Sequence, residues 1–179
     1  MSSKLYKKEI TLKDGRKLIV KEAEETEAKE LIRYIYAVGD ESKFLKFGAD
    51  EYKITVLDEK KFIKTCRESD NQALFIGWVK NEIVGHLAFS NSKWQIMRDT
   101  GELGISVSKK NWGGVGIGTL IMVALLDWAR KSKVITKVKL RVRSDNDRAI
   151  AVYKKLGFRK ERSIIWDFFD KIVMVRRLD

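Results

Sequence analysis

Apolar positions along this chain recur with two periods, and the switching between them orders the elements. Residues 9–13 and 17–21 alternate around Asp14-Gly15, which predicts a β-hairpin with a tight turn. From Thr26 to Val38 the spacing turns helical, with Ala28, Leu31, Ile32, Ile35 and Tyr36 on one face. Residues 40–57 are mixed and read as a loop with a short helix. Asp58 followed by Lys61, Phe62 and Cys66 predicts a capped amphipathic helix. Ala73–Val79 and Ile83–Ser90 read as strands around the turn Lys80-Asn81-Glu82. Glu102–Val107 reads as a third strand, after the turn Asp99-Thr100-Gly101. Gly116 to Lys131 is a long apolar helix, with Leu120, Ala124 and Trp128 in one stripe and Ile121, Leu125 and Leu126 beside it. Lys137–Val142 is a strand, and Asn146–Leu156 a helix stopped by Gly157. Arg162–Phe169 and Lys171–Arg177 close the chain as a hairpin. Hairpins combined with one βαβ crossover predict an α/β (α+β) fold: a mixed, mostly antiparallel sheet of about seven strands, with about four helices on both faces.

Length and punctuation add one constraint. The 179 residues contain no proline, no low-complexity linker and no internal repeat, so a single domain over residues 1–179 is expected. One cysteine, Cys66, and one histidine, His86, exclude a disulfide framework, a structural zinc site and any centre needing two histidines. No metal is expected. Cys66 shares a helical face with Phe62 and Ile63 and reads as core. His86 sits in mid-strand with Val84 and Ala88 on its face and reads as packed. No apolar run is long enough to span a membrane, and the opening MSSKLYKKEITLKDG lacks an apolar h-region. A cytoplasmic protein without a membrane partner is therefore the expectation.

Charge changes the picture more. Lys and Arg number 37 against 25 Asp and Glu, a net charge of +12. Residues 130–179 hold 16 basic and 6 acidic residues and carry most of that excess. Such a concentration suits a polyanionic ligand: a nucleic acid, an anionic surface or a phosphate-rich cofactor.

The segment Trp112-Gly-Gly-Val-Gly-Ile-Gly118 narrows the choice, because it lies between a strand and a helix. Its glycines let backbone approach a ligand, and the helix start behind it offers free N–H groups to an anion. A nucleotide P-loop needs Lys-Ser/Thr after its last glycine, whereas Gly118 is followed by Thr119-Leu120. A dinucleotide fingerprint beginning at Gly114 needs glycine at Thr119 and an acidic residue near the end of the next strand, which is basic here.

Four segments, in order, resemble the GNAT superfamily of N-acetyltransferases. Glu102-Leu-Gly-Ile-Ser-Val107 is similar to that family's fourth strand. Trp112–Gly118 resembles its acetyl-CoA pyrophosphate loop, Q/R-x-x-G-x-G/A. Leu140-Arg-Val-Arg143 with Asn146-x-x-Ala149 resembles its fifth strand and fourth helix. Tyr153-Lys-Lys-Leu-Gly-Phe158 resembles its Y-x-x-x-G-F signature. The resemblance implies a sheet splayed between the family's fourth and fifth strands, with acetyl-CoA as co-substrate in the gap. It implies that Ile105, Ser106 and Val107 hold pantetheine, that Gly113, Gly114, Val115, Gly116, Ile117, Gly118 and Thr119 cradle the pyrophosphate, and that Asn146 and Tyr153 contact the cofactor. The chain departs from the motif at Gly113, where the family has Gln or Arg, so one side-chain donor is lost.

The implied reaction moves acetyl from acetyl-CoA to a primary amine, on a small molecule or a protein N-terminus, by direct attack in a ternary complex. Tyr153 is the expected general acid, since a phenol is protonated at neutral pH and shares a helical face with Asn146. Glu102 is the expected base, on the strand face that also carries Gly104 and Ser106. Asp99 and Glu82 are alternatives in turns. Trp94 and Trp112 flank the expected cleft, and Arg148, Lys154 and Lys155 are within the basic region that meets the cofactor. A homodimer is compatible with the resemblance. Two other readings remain: an acetyl-CoA-binding homologue without catalysis, and a basic nucleic-acid-binding module.

Overall fold

The computed structural model describes residues 5–41, 53–91, 97–109, 114–166 and 169–178. The readings made at Trp94, Trp112 and Gly113 lie outside them. The strands are β1 (Lys7–Thr11), β2 (Lys17–Glu22), β3 (Ala73–Val79), β4 (Glu82–Asn91), β5 (Thr100–Val107), β6 (Lys137–Arg143), β7 (Arg159–Trp166) and β8 (Phe169–Arg177). The helices are α1 (Ala28–Glu41), α2 (Val56–Glu68), α3 (Ile117–Ser132) and α4 (Asp147–Lys155), with a 3-10 turn at Glu25–Glu27 before α1. All eight strands form one sheet in the order β1-β2-β3-β4-β5-β6-β8-β7. Every neighbouring pair is antiparallel except β5 and β6, which are parallel across the α3 crossover.

Strand alternation gives the sheet two apolar faces, each covered by helices. On one face α3 lays Ile117, Ile121, Leu125 and Ala129 on Leu18, Val20, Phe75, Leu87, Leu103, Val138 and Leu140. Trp128 meets Phe75 and Phe89 edge-on, with centroids 6.5 and 6.0 Å apart. On the other face α1 and α2 place Leu31, Ile35, Ile63 and Cys66 on Leu74, Ile76 and Ile83. Cys66 is core, as its spacing implied, and burial pushes its thiol up to about 12.

Several local expectations are corrected. The first strand is 7–11 rather than 9–13, because Leu12 turns inward and hydrogen-bonds Arg16 and Gly15 across the turn. The second helix begins at Val56: Thr55 is its N-cap, and Asp58 is the third helical residue, completing a capping box with Thr55. Thr100 and Gly101 belong to β5 rather than to a turn. A Cβ on Gly101 would stand 2.2 Å from the Phe89 ring, so this glycine exists for close packing. Val84 is not on the face of His86. A bulge opposite Gly77/Trp78 leaves Val84 unpaired and turns it to the α3 side, where it is fully buried. The closing hairpin turns earlier than expected, so Phe169 opens β8. The hairpin at the N-terminus counts as two strands, which raises the total to eight.

Candidate active site

Among the described residues the sheet has one parallel seam, and it is short. Pairing between β5 and β6 runs from Thr100↔Lys137 to Leu103↔Leu140 and stops, although β5 continues to Val107 and β6 to Arg143. Residues 104–107 keep their partners in β4, and 141–143 keep theirs in β8. A gap therefore opens between the two strands at their C-terminal ends, where ligands of α/β sheets bind. The splay expected between these strands is present.

The start of α3 lies beside this gap. Its N-cap is Gly116, which has φ +87° and no side-chain cap, and its first turn holds no acidic residue. The helices α2 and α4, by contrast, are capped by Thr55 and Asn146. Among the described residues no side chain caps the first N–H groups of α3, which lie at the positive end of the helix dipole. Gly114 is also left-handed, at φ +87°, a conformation that costs L-residues energy. A Cβ on Gly116 would meet nothing within 4 Å, so space is open above this turn. A Cβ on Gly118 would lie 3.3 Å from Val107 Cγ2, which places the helix start against the free end of β5. Ile105 lies 3.9 Å from the same point.

Arg148 is the residue whose position sequence reasoning left open. It is exposed on α4, and its Nη2 is 3.6 Å from the Cβ position of Gly114. A guanidinium therefore reaches the glycine turn from another element, in the chain that lacks the family's side-chain donor at Gly113. Helical spacing alone could not show this, because α4 and the turn are joined only through tertiary packing.

The remaining candidates divide between the two faces. Tyr153 lies on the α3 side, packed on the core, with its ring 6.1 Å from Phe158. Burial pushes its phenol up to about 12. Asn146 Oδ1 accepts from Ala149 N at 3.3 Å as the N-cap of α4, so that oxygen already has a structural task. On the α1 side, Ser106 Oγ is 3.2 Å from Tyr34 Oη. Glu102 is on this face too, where its Oε1 accepts from Arg141 Nε at 2.6 Å. Asp99 is structural: its carboxylate accepts from the Thr136 hydroxyl, its backbone carbonyl from Thr136 and Lys137 N–H, and its acid is held below the usual range by the hydroxyl contact. Glu82 is an exposed strand end. His86 lies partly buried on the α1 side, and burial lowers its pKa to about 4. Among the described residues no group of three or more His, Cys, Asp and Glu is placed to hold a metal, and no helix is long and apolar enough to cross a membrane.

Residues 27–158 match the profile of the Acetyltransferase (GNAT) family, well over half of the chain. The chain belongs to the GNAT acetyltransferase family. A GNAT-family acetyltransferase from Streptococcus pneumoniae superposes with a TM-score of 0.84 at 27% identity, over 90% of this chain and 99% of that one. YncA from Salmonella typhimurium, solved with its cofactor acetyl-CoA, has the same fold at 15% identity, with a TM-score of 0.75 over 90% of this chain and 94% of its own. An N-acetyltransferase 9-like protein of Caenorhabditis briggsae is 25% identical over 118 residues. This GNAT chain spans 60% of that relative's length.

Proposed function

We propose that this GNAT protein is an N-acetyltransferase that moves acetyl from acetyl-CoA to a primary amine. The observation that carries the reading is the gap between β5 and β6 next to an uncapped helix start. Backbone freed from strand pairing suits an amide-rich arm, and the α3 N-terminus suits its pyrophosphate. Bound acetyl-CoA supplies a thioester whose carbonyl accepts the amine. Main chain at Ile105, Ser106 and Val107 holds the arm and polarises that carbonyl. The turn 113–119 cradles the pyrophosphate, with Arg148 in place of the donor missing at Gly113, and Asn146 contacts the pantetheine arm.

Tyr153 serves as the general acid. Its pKa of about 12 keeps Oη protonated at every working pH, ready to give its proton to the departing sulfur. Glu102 takes the proton of the amine, directly or through water, from the opposite face. A covalent route has little to support it among the described residues. Cys66 is buried with its thiol pushed up to about 12, and His86 is on another element. The protein acts without a metal, in the cytoplasm, and a homodimer fits the reading.

The test is calorimetric titration with acetyl-CoA of wild type, Gly116→Asn and Gly116→Glu. Both variants place a side chain at a left-handed position, which Asn tolerates best. Only Glu adds a carboxylate where the pyrophosphate belongs. Binding kept in Asn and lost in Glu supports the site. A folded wild type that does not bind acetyl-CoA overturns the reading. Binding with no CoA release across a broad amine panel would favour a non-catalytic homologue.

A further inference from the structure

Where β5 loses β6 as a partner it keeps one polar side chain. Of residues 104–107, the stretch still paired with β4 but not with β6, Ser106 alone carries a side-chain heteroatom. Ile105 and Val107 pack against the core on the α3 side, so alternation turns Ser106 to the opposite face, toward α1. There its Oγ lies 3.2 Å from Tyr34 Oη, a contact spanning 72 residues of sequence. Tyr34 is 7% exposed and belongs to the buried cluster under α1, so its hydroxyl is presented from a fixed base. Ser106 is partly exposed, and a Cβ on Gly104, the next residue of its row, would meet nothing within 4 Å. A buried phenol thus holds a serine at the edge of open space.

That serine has bonding capacity left. A hydroxyl has one hydrogen to donate and two lone pairs that accept. Whichever hydroxyl donates in the contact with Tyr34, at least one lone pair of Ser106 Oγ remains, and among the described residues this oxygen makes no other hydrogen bond. His86 is the cross-strand partner of Ser106, and its ring centroid is 6.5 Å from that of Tyr34. Burial lowers its pKa to about 4, so it brings no positive charge to the serine at physiological pH. Glu102 shares the row but stands four residues away, roughly 13 Å along the strand. Its Oε1 accepts from Arg141 Nε at 2.6 Å.

We infer that Ser106 receives the attacking amine: its Oγ accepts an N–H of the acceptor and turns the nitrogen lone pair toward the thioester carbonyl. Tyr34 is a positioning residue that fixes this oxygen. The inference rests on the acetyl-CoA reading, in which main chain at residues 105–107 holds the arm, and deepens it. The nitrogen lone pair forms the C–N bond as the C–S bond breaks. Sulfur takes the Tyr153 proton, and the surplus proton on nitrogen passes through water over Gly104 to Glu102. Ser106 ends the step with the proton it began with; its part is to aim the nitrogen.

The experiment follows CoA release at saturating acetyl-CoA. The acceptor is the amine turned over fastest in a panel of amino acids, polyamines, aminoglycosides and peptides with a free N-terminus. Rates are taken per acetyl-CoA-binding site, counted from calorimetric stoichiometry, so a misfolded fraction cancels. Ser106→Ala lowers kcat roughly tenfold and leaves the acetyl-CoA dissociation constant unchanged. Ser106→Thr keeps the hydroxyl on a residue that suits a strand, and restores most of the rate. Tyr34→Phe lowers kcat by a smaller factor in the wild-type background and by none in the Ser106→Ala background, because it acts through Ser106 Oγ. A merely structural tyrosine would have the same effect in both backgrounds, and that result overturns its positioning role. If Tyr34→Phe fails to fold, the alanine and threonine variants decide. Full kcat in Ser106→Ala, or equal losses with alanine and threonine, overturn the inference and leave the acetyl-CoA site standing. Wild type that binds acetyl-CoA but releases no CoA with any amine overturns the N-acetyltransferase reading, and this inference with it.

Discussion

His86 is the sequence's only histidine, which makes its contribution to stability measurable in isolation. Its pKa drops from 6.5 to about 4 in the folded chain because burial disfavours the imidazolium. As pH falls, the unfolded chain binds the proton first, near 6.5, and the folded chain resists until about 4. Stability is therefore present above pH 6.5 and is lost progressively between 6.5 and 4. Each pKa unit corresponds to about 1.4 kcal/mol, so the full effect is about 3 kcal/mol, most of it lost by pH 4.5. The perturbation is His86→Gln, which keeps a polar amide and removes the titration. Urea denaturation of both proteins at pH 7.5 and 4.5 gives the comparison. Paired carboxylates such as Asp99 also lose stability in acid, but equally in both proteins, so the difference between the two slopes is the histidine's. Parallel slopes would refute the reasoning, as would a single histidine resonance titrating near 6.5 in the folded protein.

Three further outcomes follow from the geometry. Gly101→Ala forces the Phe89 ring away from a point 2.2 Å distant and should destabilise by roughly 1–3 kcal/mol, read as a lower urea midpoint at unchanged m-value. Tyr153→Phe should lower kcat much more than it changes acetyl-CoA affinity. The wild-type rate should show no alkaline limb from this phenol at working pH, since its pKa is about 12; an unchanged kcat in the variant removes Tyr153 from the mechanism. Arg148→Gln should weaken acetyl-CoA binding about tenfold and flatten its salt dependence, measured by calorimetry at two ionic strengths.

The sheet was legible wherever a short-range pattern decides it. Alternation located β3, β4 and the core of β5, and the mixture of hairpins with one crossover implied a mixed, mostly antiparallel sheet without giving its strand order. What escaped was decided by partners distant in sequence. Gly101 looks like turn chemistry beside Asp99 and Thr100, yet it is a strand residue lying under Phe89. Val84 and His86 are two residues apart and share a face only in an unbulged strand; the extra residue opposite Gly77/Trp78 reverses that. Asp58 is a good helix-starting residue, and Thr55 three positions earlier won the cap because its hydroxyl reaches the Asp58 N–H. At the site, the glycine turn and its helix were visible as a motif. The approach of Arg148 to Gly114 and the pairing of Arg141 with Glu102 were not, since each joins elements whose meeting only the packed sheet defines.

The short seam between β5 and β6 also divides the sheet mechanically. Five antiparallel strands on one side and three on the other are joined by four residue pairs, by the Arg141–Glu102 ion pair, by the Asp99 bonds to Thr136 and Lys137 and by the apolar surface of α3. Tension applied across the strands would concentrate there, and a break in the connection through residues 133–136 would leave two plates that must reassemble along that seam. A molecule lodged in the gap would then act as a wedge-shaped rivet, touching both plates at once. Its affinity would be felt as cohesion between them, so amide exchange along β6 should slow on ligand binding more than exchange in β2 or β3.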